Sequence, residues 1–196
     1  MKKEYKEIIS RFFPLEDGDL EAILKNVFII ELPIGTMLLS EGDIASKLFM
    51  VLDGCLRAFF VKESGSEITS QFFIEGQAVS SFESAMTGTP SRTNIDAIED
   101  STVAVIQMED LEIMISNFPS VRNQFTRYLI GRLMYYMNLH ASFILDNPEI
   151  RYVKLVRDNP ELVSRLPQQY IASYLGITPE SLSRIRKRIK KQINNG

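Results

Sequence analysis

The sequence predicts an α+β chain: short helices first, then an antiparallel sandwich, roll or barrel, one long helix, and a small all-helical unit. Three observations predict it. Between residues 29 and 108, short runs rich in β-branched and aromatic residues alternate with glycine-bearing turns. From 120 to 145 the apolar residues recur at helical spacing. Charge also divides along the chain, since residues 1–150 hold 12 Lys/Arg against 22 Asp/Glu and residues 151–196 hold 10 against 3. A basic segment on an acidic chain marks either a surface for a polyanion or a solvated helix face.

The elements follow in order. Lys3 to Phe12 is amphipathic and Pro14 stops it; Asp19 to Phe28 then sets Leu20, Ile23, Leu24 and Val27 on one helical face. Strands are expected in "FIIELPIG", "TMLLSEGD", "KLFMVLDGCLRAFFV", "EITSQFFIEGQAV" and "SRTNIDAIEDSTVAVIQM". Their turns fall at Gly35, Gly42-Asp43, Asp53-Gly54, Ser64-Gly65-Ser66 and Gly76. Glu109 to Asn117 reads as a short helix closed by Pro119, and Ser120 to Leu145 as one long helix ended by Asp146-Asn147-Pro148.

Two adjacent stripes step by four and three along that long helix: Leu129, Leu133, Tyr136, His140, Phe143, and Ile130, Met134, Met137, Ala141, Ile144. Together they make an apolar face wider than one β domain covers. Burial against a second copy of the helix, giving a two-fold homodimer, is the economical expectation, with burial inside its own chain as the alternative.

The residue inventory excludes several classes. One cysteine, Cys55, rules out an internal disulfide and any thiolate-only zinc or iron–sulfur site within one chain. The one histidine, His140, lies on the helix seam and is expected to pack there rather than to ligate haem. With no metal-ligand cluster and no phosphate-cradling loop, neither a metal site nor an enzyme is expected. The first twenty residues lack the apolar core of a signal peptide, and no apolar run reaches the roughly 18 residues of a membrane span. A soluble, cytoplasmic protein is expected.

The most informative stretch is "YIASYLGITPESLSRIRKRI", residues 170–189. A helix from about Pro167 to Leu175 is followed by Gly176, which supplies the backbone freedom of a tight turn. A second helix then opens with Thr178 as N-cap and Pro179 at its first position. Small Ala172 lets the helices approach, and Ile171, Leu175, Ile177, Leu182 and Ile185 face a shared core. This is the helix-turn-helix pattern, whose second helix enters a major groove; two helices merely packing together is the alternative. On the opposite face, Glu180, Ser183 and Arg184 suit bases: Arg pairs bidentately with guanine, Glu accepts from cytosine N4, and Ser serves several bases. Arg186, Lys187, Arg188, Lys190 and Lys191 suit phosphates.

With the β region, the long helix and this motif in that order, the chain resembles the CRP/FNR family of bacterial transcription regulators over nearly its whole length. "IGTMLLSEGDIASKLFMVLDGCLRAFFVKESGSEITSQFFIEGQAV" is similar to the family's cyclic-nucleotide-binding roll, and "IASYLGITPESLSRI" to its DNA-binding signature. The resemblance implies an N-terminal antiparallel, jelly-roll-like β-roll sensor domain over 1–118, a dimerisation helix over 119–146, and a helix-turn-helix domain over 147–196. It implies double-stranded DNA and a second copy as partners, with RNA polymerase as a third. Glu180, Ser183 and Arg184 take the base-reading positions, and Thr178 and Ser181 the phosphate-contacting ones.

Three departures accompany it. Where cyclic-AMP binders carry a ribose-holding Glu, this chain has Phe82 with Glu83 next to it, although Arg92-Thr93 matches the phosphate-holding pair. Tyr136 and Met137 stand where those binders have polar residues on the long helix. The effector pocket of Glu83, Arg92, Thr93, Tyr136 and Met137 is therefore expected to be empty or to suit a more apolar ligand. A cyclic nucleotide stays an open candidate, whereas an iron–sulfur cluster or haem is not expected. Little sequence follows the second helix, so a reduced or absent wing hairpin is expected. A regulatory module that acts through protein contacts rather than DNA is the alternative function.

Overall fold

The computed structural model describes residues 2–13 and 24–194. Its elements are α1 (Lys3–Phe12), β1 (Val27–Leu32), β2 (Met37–Leu39), β3 (Lys47–Asp53), β4 (Leu56–Val61), β5 (Glu67–Phe73) and β6 (Ala78–Val79). Then come α2 (Phe82–Thr87), β7 (Asn94–Ala97), β8 (Ser101–Gln107), α3 (Met108–Asn117) and α4 (Pro119–Leu145). The chain continues as α5 (Pro148–Asp158), α6 (Pro160–Arg165), α7 (Gln168–Tyr174) and α8 (Pro179–Asn194). The first half of the helix expected over 19–28, residues 19–23, lies outside the described residues, and its last two positions, Val27 and Phe28, open strand β1 instead. Residues 82–87, for which the sequence analysis assigns no element, form a helix that ends at Gly88.

The chain divides into two compact units, Met1–Ala58 with Phe72–Met134, and Phe59–Gln71 with Tyr135–Gly196. The strands form two four-stranded sheets, in the orders β1-β8-β3-β6 and β2-β7-β4-β5. The pairings β1–β8, β2–β7, β3–β6 and β3–β8 are antiparallel. Alternation along the strands sorts the core into two layers. Leu32, Leu39, Phe49, Val51, Leu56, Phe73, Ile95 and Val103 fill the space between the sheets. Leu48, Met50, Ala104 and Ile106 point the other way and pack with Ile9, Phe13, Leu111 and Val121 from the helices.

Two features fix the roll. Gly54 has φ +97°, and a Cβ there would lie 2.7 Å from the Ser101 Cα, so only glycine lets the β3–β4 turn close onto β8. Arg57 and Asp96 form a buried bidentate pair between β4 and β7, with Nε–Oδ1 at 3.0 Å and Nη2–Oδ2 at 2.6 Å. The first half of α4 is clamped to the same unit. Tyr128 Oη accepts from the Ala78 N–H and donates to the Ala78 carbonyl, and the Arg132 guanidinium lies 4.9 Å from the Phe73 ring centre.

Further along α4, the apolar side chains meet no comparable cover among the described residues. Leu133, Met134, Met137 and Ile144 are all more than half exposed. A helix of about 40 Å with such a stripe is what a two-stranded seam requires.

Candidate nucleic-acid interface

In the second unit, α7 and α8 are built by local chemistry. Leu175 caps α7, and Gly176, at φ +69°, takes the left-handed position that follows. The Ile177 N–H then bonds the Ala172 carbonyl at 2.9 Å and the Gly176 N–H bonds the Ser173 carbonyl at 3.0 Å. These are the two bonds of a Schellman stop, which satisfies the last carbonyls of α7 while reversing the chain. Thr178 restarts it, its Oγ1 accepting from the Ser181 N–H, with Pro179 at the first helical position. Ile171, Ala172, Leu175 and Leu182 are buried between the helices. The absence of bulk at Ala172 is what brings them together.

The opposite face of α8 is open. Thr178, Glu180, Arg184, Lys187, Arg188, Lys190 and Lys191 are exposed, and Ser181 and Ser183 half-buried. The Glu180 carboxyl is held below its ordinary value, first by its own backbone N–H and then by Thr178, so it is an ionised acceptor at neutral pH. Arg184 Nη2 donates to Ser181 Oγ at 2.8 Å. Arg188 pairs with Glu149 on α5 at 2.6 Å, which ties the middle of α8 to its own unit.

Sequence reasoning missed the supports of this face. Arg151, on α5, donates to the Asp146 carbonyl at the end of α4 (2.7 Å) and to the Leu175 carbonyl at the end of α7 (2.9 Å). Its guanidinium lies 4.6 Å from the centre of the Phe143 ring, and a Cβ on Gly176 would meet that same ring at 3.2 Å. Phe143, read only as a seam residue, thus also braces the turn. Ser173 Oγ accepts from the Thr69 N–H (2.9 Å) and donates to the Glu67 carbonyl (3.1 Å), docking α7 on the backbone of β5. Tyr135 and Tyr174 share a hydroxyl hydrogen bond of 2.5 Å. Apart from Asp146 and Phe143, these partners are remote in sequence, and nothing in spacing or composition announces them.

The expected effector residues are distributed over both units. In the first, Glu83 is exposed on α2, Arg92 is exposed, and Thr93 is half-buried with its N–H on Ser91 Oγ. Phe82, which stands where the resemblance expects a ribose-holding Glu, turns its ring to Phe125, 6.1 Å away, and packs against the helical core. In the second, Tyr136 and Met137 are exposed on α4, as is His140. Cys55 is fully buried. Among the described residues, no group of three or more His, Cys, Asp or Glu could hold a metal ion, and no helix is long and apolar enough to cross a membrane.

Residues 29–118 match the cyclic nucleotide-binding domain family. Over 91% of the chain and 76% of the relative, the sequence is 26% identical to the fumarate nitrate reduction regulatory protein of Klebsiella oxytoca. Its counterpart in Escherichia coli K12 is 25% identical over the same shares. The likeness to these regulators thus extends over most of the chain. Solved structures agree on the fold. The c-di-GMP-responsive global regulator CLP of Xanthomonas campestris superposes with a TM-score of 0.72 at 17% identity, covering 90% of this chain and 93% of that one. A protein of Eubacterium rectale described as a CRP/FNR-family transcriptional regulator gives 0.71 at 18% identity, covering 92% and 86%. The β-roll, long helix and C-terminal helices expected from the sequence are the architecture of these neighbours.

The domain match raises a cyclic nucleotide as ligand, and the residues present do not fit it well. Phe82 in the core offers the ribose no carboxylate, and Glu83, one residue on, faces solvent.

Proposed function

We propose that the protein is a sequence-specific DNA-binding transcription regulator that acts as a homodimer on a palindromic site. The observation that carries this is the second unit's exposed α8 face. It holds an ionised Glu180, a Ser181-held Arg184 and a run of basic side chains, presented by a helix whose start and turn are both hydrogen-bonded. Glu180, Ser183 and Arg184 read bases. Thr178, Lys187, Lys190 and Lys191 contact phosphates, and Arg188 joins them in so far as Glu149 releases it.

The exposed stripe of Leu129, Leu133, Tyr136, His140 and Phe143 on α4 supports pairing with a second copy. A two-fold pair sets its half-sites about one helical turn, roughly 34 Å, apart. Control by a small molecule in the roll, contact with RNA polymerase and a cytoplasmic location complete the proposal.

Two substitutions test the division of labour on α8. Arg184→Ala is expected to cost about 1–3 kcal/mol on the cognate site and to relax preference at one base pair per half-site. Lys190→Ala is expected to weaken binding to every sequence alike and to lower the slope of log K against log salt by about 1. Titrations of cognate and scrambled duplexes at several salt concentrations read both. An equal loss on the two duplexes for Arg184→Ala would remove its base-reading role.

A further inference from the structure

We propose that Ser181 is a positioning residue for sequence reading: its hydroxyl holds the Arg184 guanidinium in its base-reading orientation before DNA arrives. The proposal rests on the reading of α8 as the helix that enters the groove. The observation is a three-residue chain along the first two turns of α8. Ser181 Oγ accepts from Arg184 Nη2 at 2.8 Å and is hydrogen-bonded to Thr178 Oγ1 at 3.2 Å. Thr178 Oγ1 in turn accepts from the Ser181 N–H. The serine hydroxyl is thus anchored to the N-cap, and the arginine is anchored to the hydroxyl.

Chemistry gives this arrangement a consequence. A free arginine side chain is rich in rotamers, and ordering it on a base edge costs entropy that binding must offset. A guanidinium already held at one nitrogen loses less. Its four remaining N–H groups still suffice for a two-pronged contact with the O6 and N7 of guanine. In the desolvated groove, the same charge-assisted bond strengthens. A serine that contacts phosphate instead would add affinity uniformly and say nothing about sequence. The two roles therefore separate in measurement.

Ser181→Ala keeps the backbone N–H that bonds Thr178, so the helix start remains. Binding to the cognate duplex is expected to fall about five- to tenfold, while binding to scrambled DNA stays unchanged. Ser181→Thr restores the hydroxyl and most of the lost discrimination. In an Arg184→Ala background, Ser181→Ala has no further effect, as a double-mutant cycle requires of a residue acting through another. A uniform loss on both duplexes, or an undiminished effect in the Arg184→Ala background, overturns the proposal.

A second readout needs no DNA. The ¹⁵N relaxation of Arg184 Nε in the free protein is expected to show greater order than in Ser181→Ala, and equal mobility in the two overturns the proposal. Should the wild-type protein prefer no sequence while Arg184 is still ordered by Ser181, it is the reading of α8 as a DNA reader that fails.

Discussion

Arg57→Ala is expected to lower the stability of the first unit by about 3–5 kcal/mol. The pair it breaks is sealed from water, with side-chain exposures of 2% for Arg57 and 10% for Asp96. Its Coulomb attraction and two parallel hydrogen bonds offset the desolvation of both charges. Removing the arginine leaves the carboxylate buried without its counter-ion, which is the costly half of the exchange. Replacing both partners by apolar residues of similar volume, as in R57M/D96L, is expected to recover most of the loss. Urea unfolding, followed by a probe in the roll, reads both results. An unshifted midpoint for Arg57→Ala would show that the pair is solvated rather than buried.

Leu182→Ala is expected to abolish DNA binding without touching a DNA-facing side chain. Leu182 is fully buried between α7 and α8, and truncating it leaves a cavity worth about 2–5 kcal/mol. That is much of what a unit of this size has to spare. The mutant should therefore lose helical signal at lower temperature than the wild type, with cognate and scrambled DNA affected alike. Arg184→Ala, by contrast, leaves the melting curve in place. A Leu182→Ala protein that melts normally would mean that the two helices do not share this core.

These two substitutions mark what was and was not legible in the sequence. Leu182 was legible because its burial follows from a local rule. Gly176 breaks the helix, Thr178 and Pro179 restart it, and apolar spacing assigns the inner face. The long helix was legible for the same reason, its stripe stepping by four and three over 26 residues, 120–145. The Arg57–Asp96 pair was not, because its partners are 39 residues apart and meet only once β7 lies beside β4. In the sequence, Arg57 is one more strand residue.

Ser173 and Arg151 were illegible on the same ground. Both serve backbone groups of remote segments, and backbone groups carry no sequence signature. Within "SSFES", Glu83 looked like the nearest carboxylate to a missing one. Helix α2 aims Phe82 into the core and leaves Glu83 in solvent, a distinction of facing that one-dimensional register does not contain.

The central claim is that α8 of a two-fold dimer reads a palindrome. Selection of the full-length protein against a random-sequence duplex library at moderate salt tests it most directly. The structure leads to enrichment of an inverted repeat whose half-site centres lie about one helical turn apart. Enrichment of no sequence above the nonspecific background, with retention falling only as salt rises, would contradict it.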